Sequence, residues 1–252
     1  MKKFALTTAA LLSFAAAGAA GAADLPAPAP MPPAVYKPAP PMPAFSWTGC
    51  YAGGGGGYGV WNQDIFGESD PGHVAATPTS TNGGRGWFGT AQGGCDYQVD
   101  RFVIGVFGDA DFGSLSGTLV DFVSGNENER FSWAAGGRVG WLAMPKLLTY
   151  VSAGFTQAHF DQVNITGGGV PAGAFVNANS YNGFFIGSGY EYGFDFLPGF
   201  FWKTEYRFAD YESANLSVLG PVGALTGTAF HVQPFIQTIR TELVWRFNWG
   251  GY

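Results

Sequence analysis

Eight stretches between residues 45 and 247 alternate apolar or aromatic residues with small, polar or charged ones. A period of two means an extended strand with two unlike faces. The stretches are 46–61 (SWTGCYAGGGGGYGVW), 86–98 (GWFGTAQGGCDYQ), 101–112 (RFVIGVFGDADF), 130–142 (RFSWAAGGRVGWL), 147–157 (LLTYVSAGFTQ), 181–192 (YNGFFIGSGYEY), 200–208 (FFWKTEYRF) and 234–247 (PFIQTIRTELVWRF). Each is near the length a tilted strand needs to cross a bilayer, about 9–11 residues. The connections alternate in length. Segments 62–85, 113–129, 158–180 and 209–233 are long, while 99–100, 143–146 and 193–199 are short. Short turns at one end, long loops at the other and an even strand count describe an antiparallel transmembrane barrel. A soluble sandwich has no reason to place every long loop at one end.

The two faces identify the surroundings. In 200–208, Lys203, Glu205 and Arg207 share one parity, and Trp202, Thr204, Tyr206 and Phe208 the other. In 234–247, Arg240, Glu242 and Arg246 oppose Ile239, Leu243, Trp245 and Phe247. Glu191 opposes Phe184, Ile186, Tyr190 and Tyr192; Arg138 opposes Trp133, Val139 and Trp141; Asp109 and Asp111 oppose Phe102, Ile104 and Val106. The aromatic faces are too bulky for an eight-stranded interior, whose lumen just admits side chains. Small residues and charges of both signs suit that lumen. The aromatic face therefore points out, to lipid, with Trp and Tyr near strand ends as interfacial girdles.

Composition agrees. The chain holds 40 Gly, 23 Phe, 11 Tyr and 8 Trp, and only 12% of its residues are charged. A lipid-facing band cannot carry charge, at about 2–4 kcal/mol for a midplane Arg or Lys. A net charge of −6 excludes a basic nucleic-acid binder. The aromatics exclude a disordered acidic chain, and the glycine excludes a helical bundle.

The first 23 residues read as a secretory signal peptide. Lys2 and Lys3 form its positive start, residues 4–17 its apolar core, and small residues permit cleavage after Ala22 or Ala23. Residues 24–44 are rich in proline and should be extended polyproline II. They read as a periplasmic spacer touching cell wall, or as a leader with no partner. The barrel is expected over 45–247, with 248–252 as an extension. No run of 18 apolar residues follows the signal, so no transmembrane helix is expected.

The sequence is similar to the small porin-like outer-membrane immunogenic proteins, a family of opacity-type, OmpA-like barrels. The resemblance rests on AADLP after the signal peptide, the Pro-rich leader, FSWTGCYAGGGGGYG, GCDYQ…FVIGVFGDADF, RVGWL, GYEYGF, KTEYRFADY and the closing RTELVWRF. Together these span about residues 22–247. The resemblance implies a cell outer-membrane location, surface exposure, and a structural or host-contact role rather than an enzymatic one. Family chains commonly end at the aromatic of the last strand, which the barrel-assembly machinery reads. Here five residues follow Phe247, so Leu243, Trp245 and Phe247 are expected to act as an internal assembly signal. The dense glycine of 53–57 weakens strand pairing there.

Several constellations are candidates for function. Asp109, Asp111, Arg138, Glu191, Lys203, Glu205, Arg207, Arg240, Glu242 and Arg246 form either a salt-bridge network plugging the lumen or the lining of a narrow ion path. Cys50 and Cys95 are the two cysteines. Both have lipid-face parity near the periplasmic side, with Cys50 expected opposite about residue 97. They are either a cross-strand disulfide or two lipid-packed thiols. His73, His159 and His231 fall in or beside outer loops. His159 with Asp161 imitates the outer-rim acid–base pair of barrel enzymes, but no spacing ties a serine to it. No metal-site spacing is present, and the glycine run lacks the Lys-Ser/Thr of a phosphate loop. Asp64, Glu68, Asp70, Asp121, Glu127, Glu129, Asp161, Asp210 and Glu212 are expected on the outer loops, either contacting a ligand or host or simply solvated beside lipopolysaccharide.

The sequence thus predicts an all-β, eight-stranded antiparallel transmembrane barrel with short periplasmic turns and long outer loops. The expected role is structural: envelope integrity and surface-loop contact, without catalysis or cofactor. The alternative is a narrow porin for passive diffusion. Expected partners are outer-membrane lipid and lipopolysaccharide, the assembly machinery, and host or cell wall.

Overall fold

A computed structural model of the chain describes residues 45–120 and 123–247. The expected signal peptide, Pro-rich segment and C-terminal extension lie outside the described residues.

The strands, in chain order, are β1 (Gly49–Ser69), β2 (Ser80–Val99), β3 (Phe102–Val120), β4 (Val123–Met144), β5 (Leu147–Phe160), β6 (Val163–Asn164), β7 (Thr166–Gly167), β8 (Phe175–Val176), β9 (Asn179–Gly193), β10 (Phe200–Tyr211), β11 (Ala214–Leu219) and β12 (Leu225–Phe247). Eight of them, β1-β2-β3-β4-β5-β9-β10-β12, pair antiparallel in sequence, and β12 pairs back onto β1 to close the ring. The ring is the eight-stranded barrel that the alternation predicts. Three tight connections follow β2, β4 and β9. In the first, Asp100 adopts a left-handed φ of 54°, a conformation Asp tolerates better than most residues.

Outward positions carry the aromatics and branched aliphatics. Trp87, Val106, Phe184 and Ile186 are all more than half exposed. This apolar belt runs from Phe102 and Trp141, whose rings meet at 4.8 Å, up to Phe112 and Phe131, at 5.2 Å. Inward positions in the belt carry the charges. A charge facing hydrocarbon is costly and an apolar face there is not, so the parity is fixed.

The strands correct the expected boundaries. β1 has 21 residues and β12 has 23, far more than a bilayer crossing needs. Most of the four expected outer loops is therefore strand. The reason is a change of solvent. Above the belt the outer face meets water and the inner face turns apolar. Trp61, Ile65, Leu115, Leu119, Phe160 and Phe230 are buried there. The short strands β6, β8 and β11 extend the sheet from β12 over this core. The molecule has a polar core where its surroundings are apolar, and an apolar core where they are aqueous.

Candidate functional site

The lumen is filled by three tiers of charge. Each tier is built by strands that present one inward residue in two. In the lowest tier, Arg138 of β4 donates from Nε to Asp96 Oδ1 at 2.9 Å and from Nη1 to Glu191 Oε2 at 3.2 Å. Arg246 of β12 donates to Glu191 at 2.6 and 3.0 Å and stands 2.7 Å from Asp96. Arg138 and Arg246 lie 4.6 and 4.8 Å from the Tyr51 ring centre. Trp47, with Phe45 and Phe201, closes the periplasmic mouth beneath Arg246.

In the middle tier, Lys203 donates to Gln92 Oε1 at 2.6 Å and lies 3.3 Å from Glu205 and 3.7 Å from Glu242. The Tyr150 hydroxyl donates to Glu205 at 2.8 Å. In the upper tier, Arg207 grips Asp109 with two bonds of 3.0 and 2.8 Å and also donates to Glu205. Arg240 reaches Asp109 at 3.1 Å and Asp111 at 2.8 Å. Arg207 lies 4.2 Å from the Phe185 ring centre.

The ten expected lumen residues are all buried and brought together in this stack. Asp96 is an eleventh member that sequence reading missed. Its signal was present, since it has the parity opposite to Cys95 and equal to Gln92. Five cations thus meet six carboxylates. Sharing Asp96, Asp109, Glu191 and Glu205 between two cations each offsets the loss of water that makes a lone buried charge costly. Gly105 of β3 is part of the fit, because a Cβ built there would collide with Asp96 Oδ1. Gly105→Ala is expected to push Asp96 off the two arginines and cost about 1–3 kcal/mol. An unchanged guanidinium midpoint would remove this contact from the account.

Interior space is scarce. A cavity beside Asp109, Asp111, Arg207 and Arg240 and another beside Gln63, Glu127, Phe160 and Tyr181 measure about 20 Å³ each. Each is the size of one water. Above the charges, Trp61 donates to the Leu115 carbonyl at 2.8 Å and its ring meets Phe160 at 5.7 Å.

The structure corrects several outer-rim expectations. Glu68, Glu127 and Glu129 are 3–5% exposed rather than solvated: β4 carries Glu127 and Glu129 inward, while Glu68, on the outward parity of β1, lies against His73 and Ala75 of the β1–β2 connection. Gln63 donates to Glu127 at 2.5 Å. Burial pushes the Glu127 carboxyl up to about 7, with the Gln63 bond opposing. Burial likewise pushes Glu129 up to about 7. Asp64 and Glu212 are exposed, Asp70, Asp161 and Asp210 are half-buried, and Asp121 lies outside the described residues.

His159 and His231 sit on β5 and β12 rather than in loops. His159 Nδ1 is 2.9 Å from Ser180 Oγ, a serine that no sequence spacing tied to it, while Asp161 pairs with Arg130 at 3.3 Å. His73 contacts Glu68 at 2.6 Å, and His231 contacts Asn215 at 2.6 Å. Among the described residues no group of three or more His, Cys, Asp or Glu is placed to hold a metal.

Cys50 lies opposite Cys95, not residue 97, and the two form a disulfide. The ladder explains the shift of two. β1 and β2 stay paired to Ile65 and Ser80, so their turn is centred one residue earlier than a loop over 62–85. Iodoacetamide without reductant is expected to leave the protein's mass unchanged and to add two labels after reduction. Labelling before reduction would show free thiols.

On the closing strand, Leu243 and Trp245 face outward and are about half exposed.

No family model matches the chain. It is 28% identical over 186 residues to the 31 kDa outer-membrane immunogenic protein of Brucella melitensis biotype 1, covering 70% of this chain and 76% of that protein. The protein of the same name from Brucella suis biovar 1 matches to the same extent. Among solved structures, the outer membrane protein OprG from Pseudomonas aeruginosa superposes with a TM-score of 0.54 at 11% identity, covering 79% of this chain and 97% of that one. The chain is an eight-stranded β-barrel protein of the Gram-negative outer membrane, homologous to the 31 kDa outer-membrane immunogenic proteins of Brucella.

Proposed function

We propose that this barrel is a closed structural element of the envelope that holds a rigid head above the outer leaflet. The observation that carries the reading is the filled interior: three tiers of shared ion pairs beneath an apolar cap. A diffusion channel needs a continuous wet path. Here the interior cavities that flank the upper tier and the cap are of single-water size. Charge in this lumen ties strands together rather than conducting.

The head supports the second half of the reading. Its strands extend well beyond the bilayer, and its turns present polar and acidic side chains to the medium. A surface held on such a scaffold suits contact with a host or the environment. His159 contacts Ser180, and Asp161 pairs with Arg130 rather than with His159. Leu243, Trp245 and Phe247 on the closing strand remain the proposed assembly signal, and the barrel-assembly machinery the proposed partner.

The experiment is deletion of the gene, followed by challenge with detergent and chelator. Increased sensitivity, restored by the wild-type chain, is the expected result. Unchanged sensitivity would remove the envelope-integrity reading.

A further inference from the structure

Outside the lumen, the described residues carry four Lys or Arg side chains: Arg85, Arg101, Arg130 and Lys146. Arg101 and Lys146 lie at the periplasmic turns. Arg85 and Arg130 are the two at the outer end, and they share one face. Arg85 of β2 is opposite Ser116 of β3, which is opposite Asn128 of β4. Arg130 is the extra residue in the β4–β5 ladder, set between Glu129 and Phe131. An irregularity of this kind re-aims a side chain, and Arg130 is 65% exposed. The two strands that carry the arginines are about 10 Å apart. Between them, the exposed hydroxyls of Ser114 and Ser116 are 3.1 Å apart.

A shallow, open groove lies on the lipid face of the same three strands, bordered by Ala91, Gly93, Gly108, Ala110, Trp133 and Ala135. Register places it below the cations on the same face, with Trp87, Phe112 and Phe131 on the rungs between. Ala91 pairs with Ala110 and Ala110 with Trp133, and the next rung up is Gly89, Phe112 and Phe131. An open Gly89 leaves a way between cations and groove, since a Cβ there would approach nothing closer than 3.8 Å.

We propose that this face of β2, β3 and β4 binds one lipopolysaccharide molecule. The phosphates of its glucosamine headgroup sit on Arg85 and Arg130, and one acyl chain lies in the groove. Guanidinium forks match phosphate oxygens. The ion pair of Arg130 with Asp161 is exposed and worth little, so a phosphate displaces it readily. The rest of the outer rim is acidic, which leaves this face as the one complementary to an anionic outer leaflet. The inference rests on outer-membrane location and fold, and stands whether or not the lumen conducts.

The test uses protein purified from outer membranes in mild detergent and stripped of lipid. It is titrated with lipopolysaccharide, with the same lipopolysaccharide dephosphorylated, and with phosphatidylglycerol, and bound lipid is read by native mass spectrometry. Arg85→Ala and Arg130→Ala should each weaken lipopolysaccharide binding about tenfold. Dephosphorylation should reproduce the double variant, and phosphatidylglycerol should bind no better than the dephosphorylated lipid. Ala110→Trp, which fills the groove from the lipid side, should also weaken binding. Arg101→Ala should leave it unchanged. All these side chains lie outside the lumen, so the variants should keep the wild-type denaturation midpoint. Equal binding by wild type and double variant overturns the proposal. So does equal binding of the dephosphorylated lipid, an unaffected Ala110→Trp variant, or self-association through the groove in place of lipid.

Discussion

Replacing Glu191 with alanine should destabilise the barrel by about 3–5 kcal/mol. Glu191 is 0% exposed and accepts from Arg138 and Arg246 at three points, between 2.6 and 3.2 Å. Removing it leaves both guanidiniums with Asp96 as their remaining acid, deep in a narrow lumen. The cost is mainly that of the half-paired cations left behind, not the energy of the lost bonds. Glu191→Gln keeps the volume and one acceptor and should cost less than the alanine. Glu212→Ala, at an exposed rim position, should cost nothing measurable. Guanidinium unfolding in vesicles, followed by tryptophan fluorescence, reads all three. A Glu191→Ala midpoint equal to that of Glu212→Ala would show that the stack is ornamental.

The second large effect is a dependence of the outer cap on pH. Glu127 lies above the Phe112–Phe131 rung that ends the lipid belt, inside the apolar cap. Its nearby polar groups are Gln63, which donates to it, and Tyr181 and Asp161 in the wall of the same cavity. Among the described residues, no Lys or Arg lines that cavity. Burial therefore raises the carboxyl to about 7 in the folded protein, from an ordinary 4.5. The folded form binds this proton more tightly than the unfolded form does. The cap is thus most stable below about pH 4.5. It weakens as pH rises toward 7 and levels off above that, by an amount on the order of 3 kcal/mol. Glu129, raised in the same direction, adds to the effect. Limited proteolysis of segment 160–178 should be slow at pH 5 and faster at pH 8.5. Glu127→Gln should stay resistant at both values. A wild-type chain no more sensitive than Glu127→Gln at pH 8.5 would contradict the assignment.

The membrane half of this fold was legible because lipid enforces alternation strictly. The parity of Lys203, Glu205 and Arg207 against Trp202, Tyr206 and Phe208 is enough to orient β10. The aqueous half was harder to read for a physical reason. Across Gln63, Asp64, Ile65, Phe66 and Gly67 the period of two continues, but the sign of the inner face reverses. A search for apolar-out strands ends at Trp61, where that reversal begins. Glu127 and Glu129 were misplaced for the same cause: a carboxylate beyond the lipid belt reads as solvated unless its strand is known to continue. Asp96 was legible by parity alone. The opposition of Cys50 and Cys95 was not, because it depends on where the β1–β2 ladder turns. The outward groove beneath Arg85 and Arg130 depends on three strands in register, which no single stretch of sequence displays.

The central claim is that the interior is closed by paired charge and an apolar cap. Single-channel recording of the refolded chain in a planar bilayer tests it most directly. A closed interior should be silent at both polarities and across physiological salt. Stable unitary openings from the wild-type barrel would contradict it.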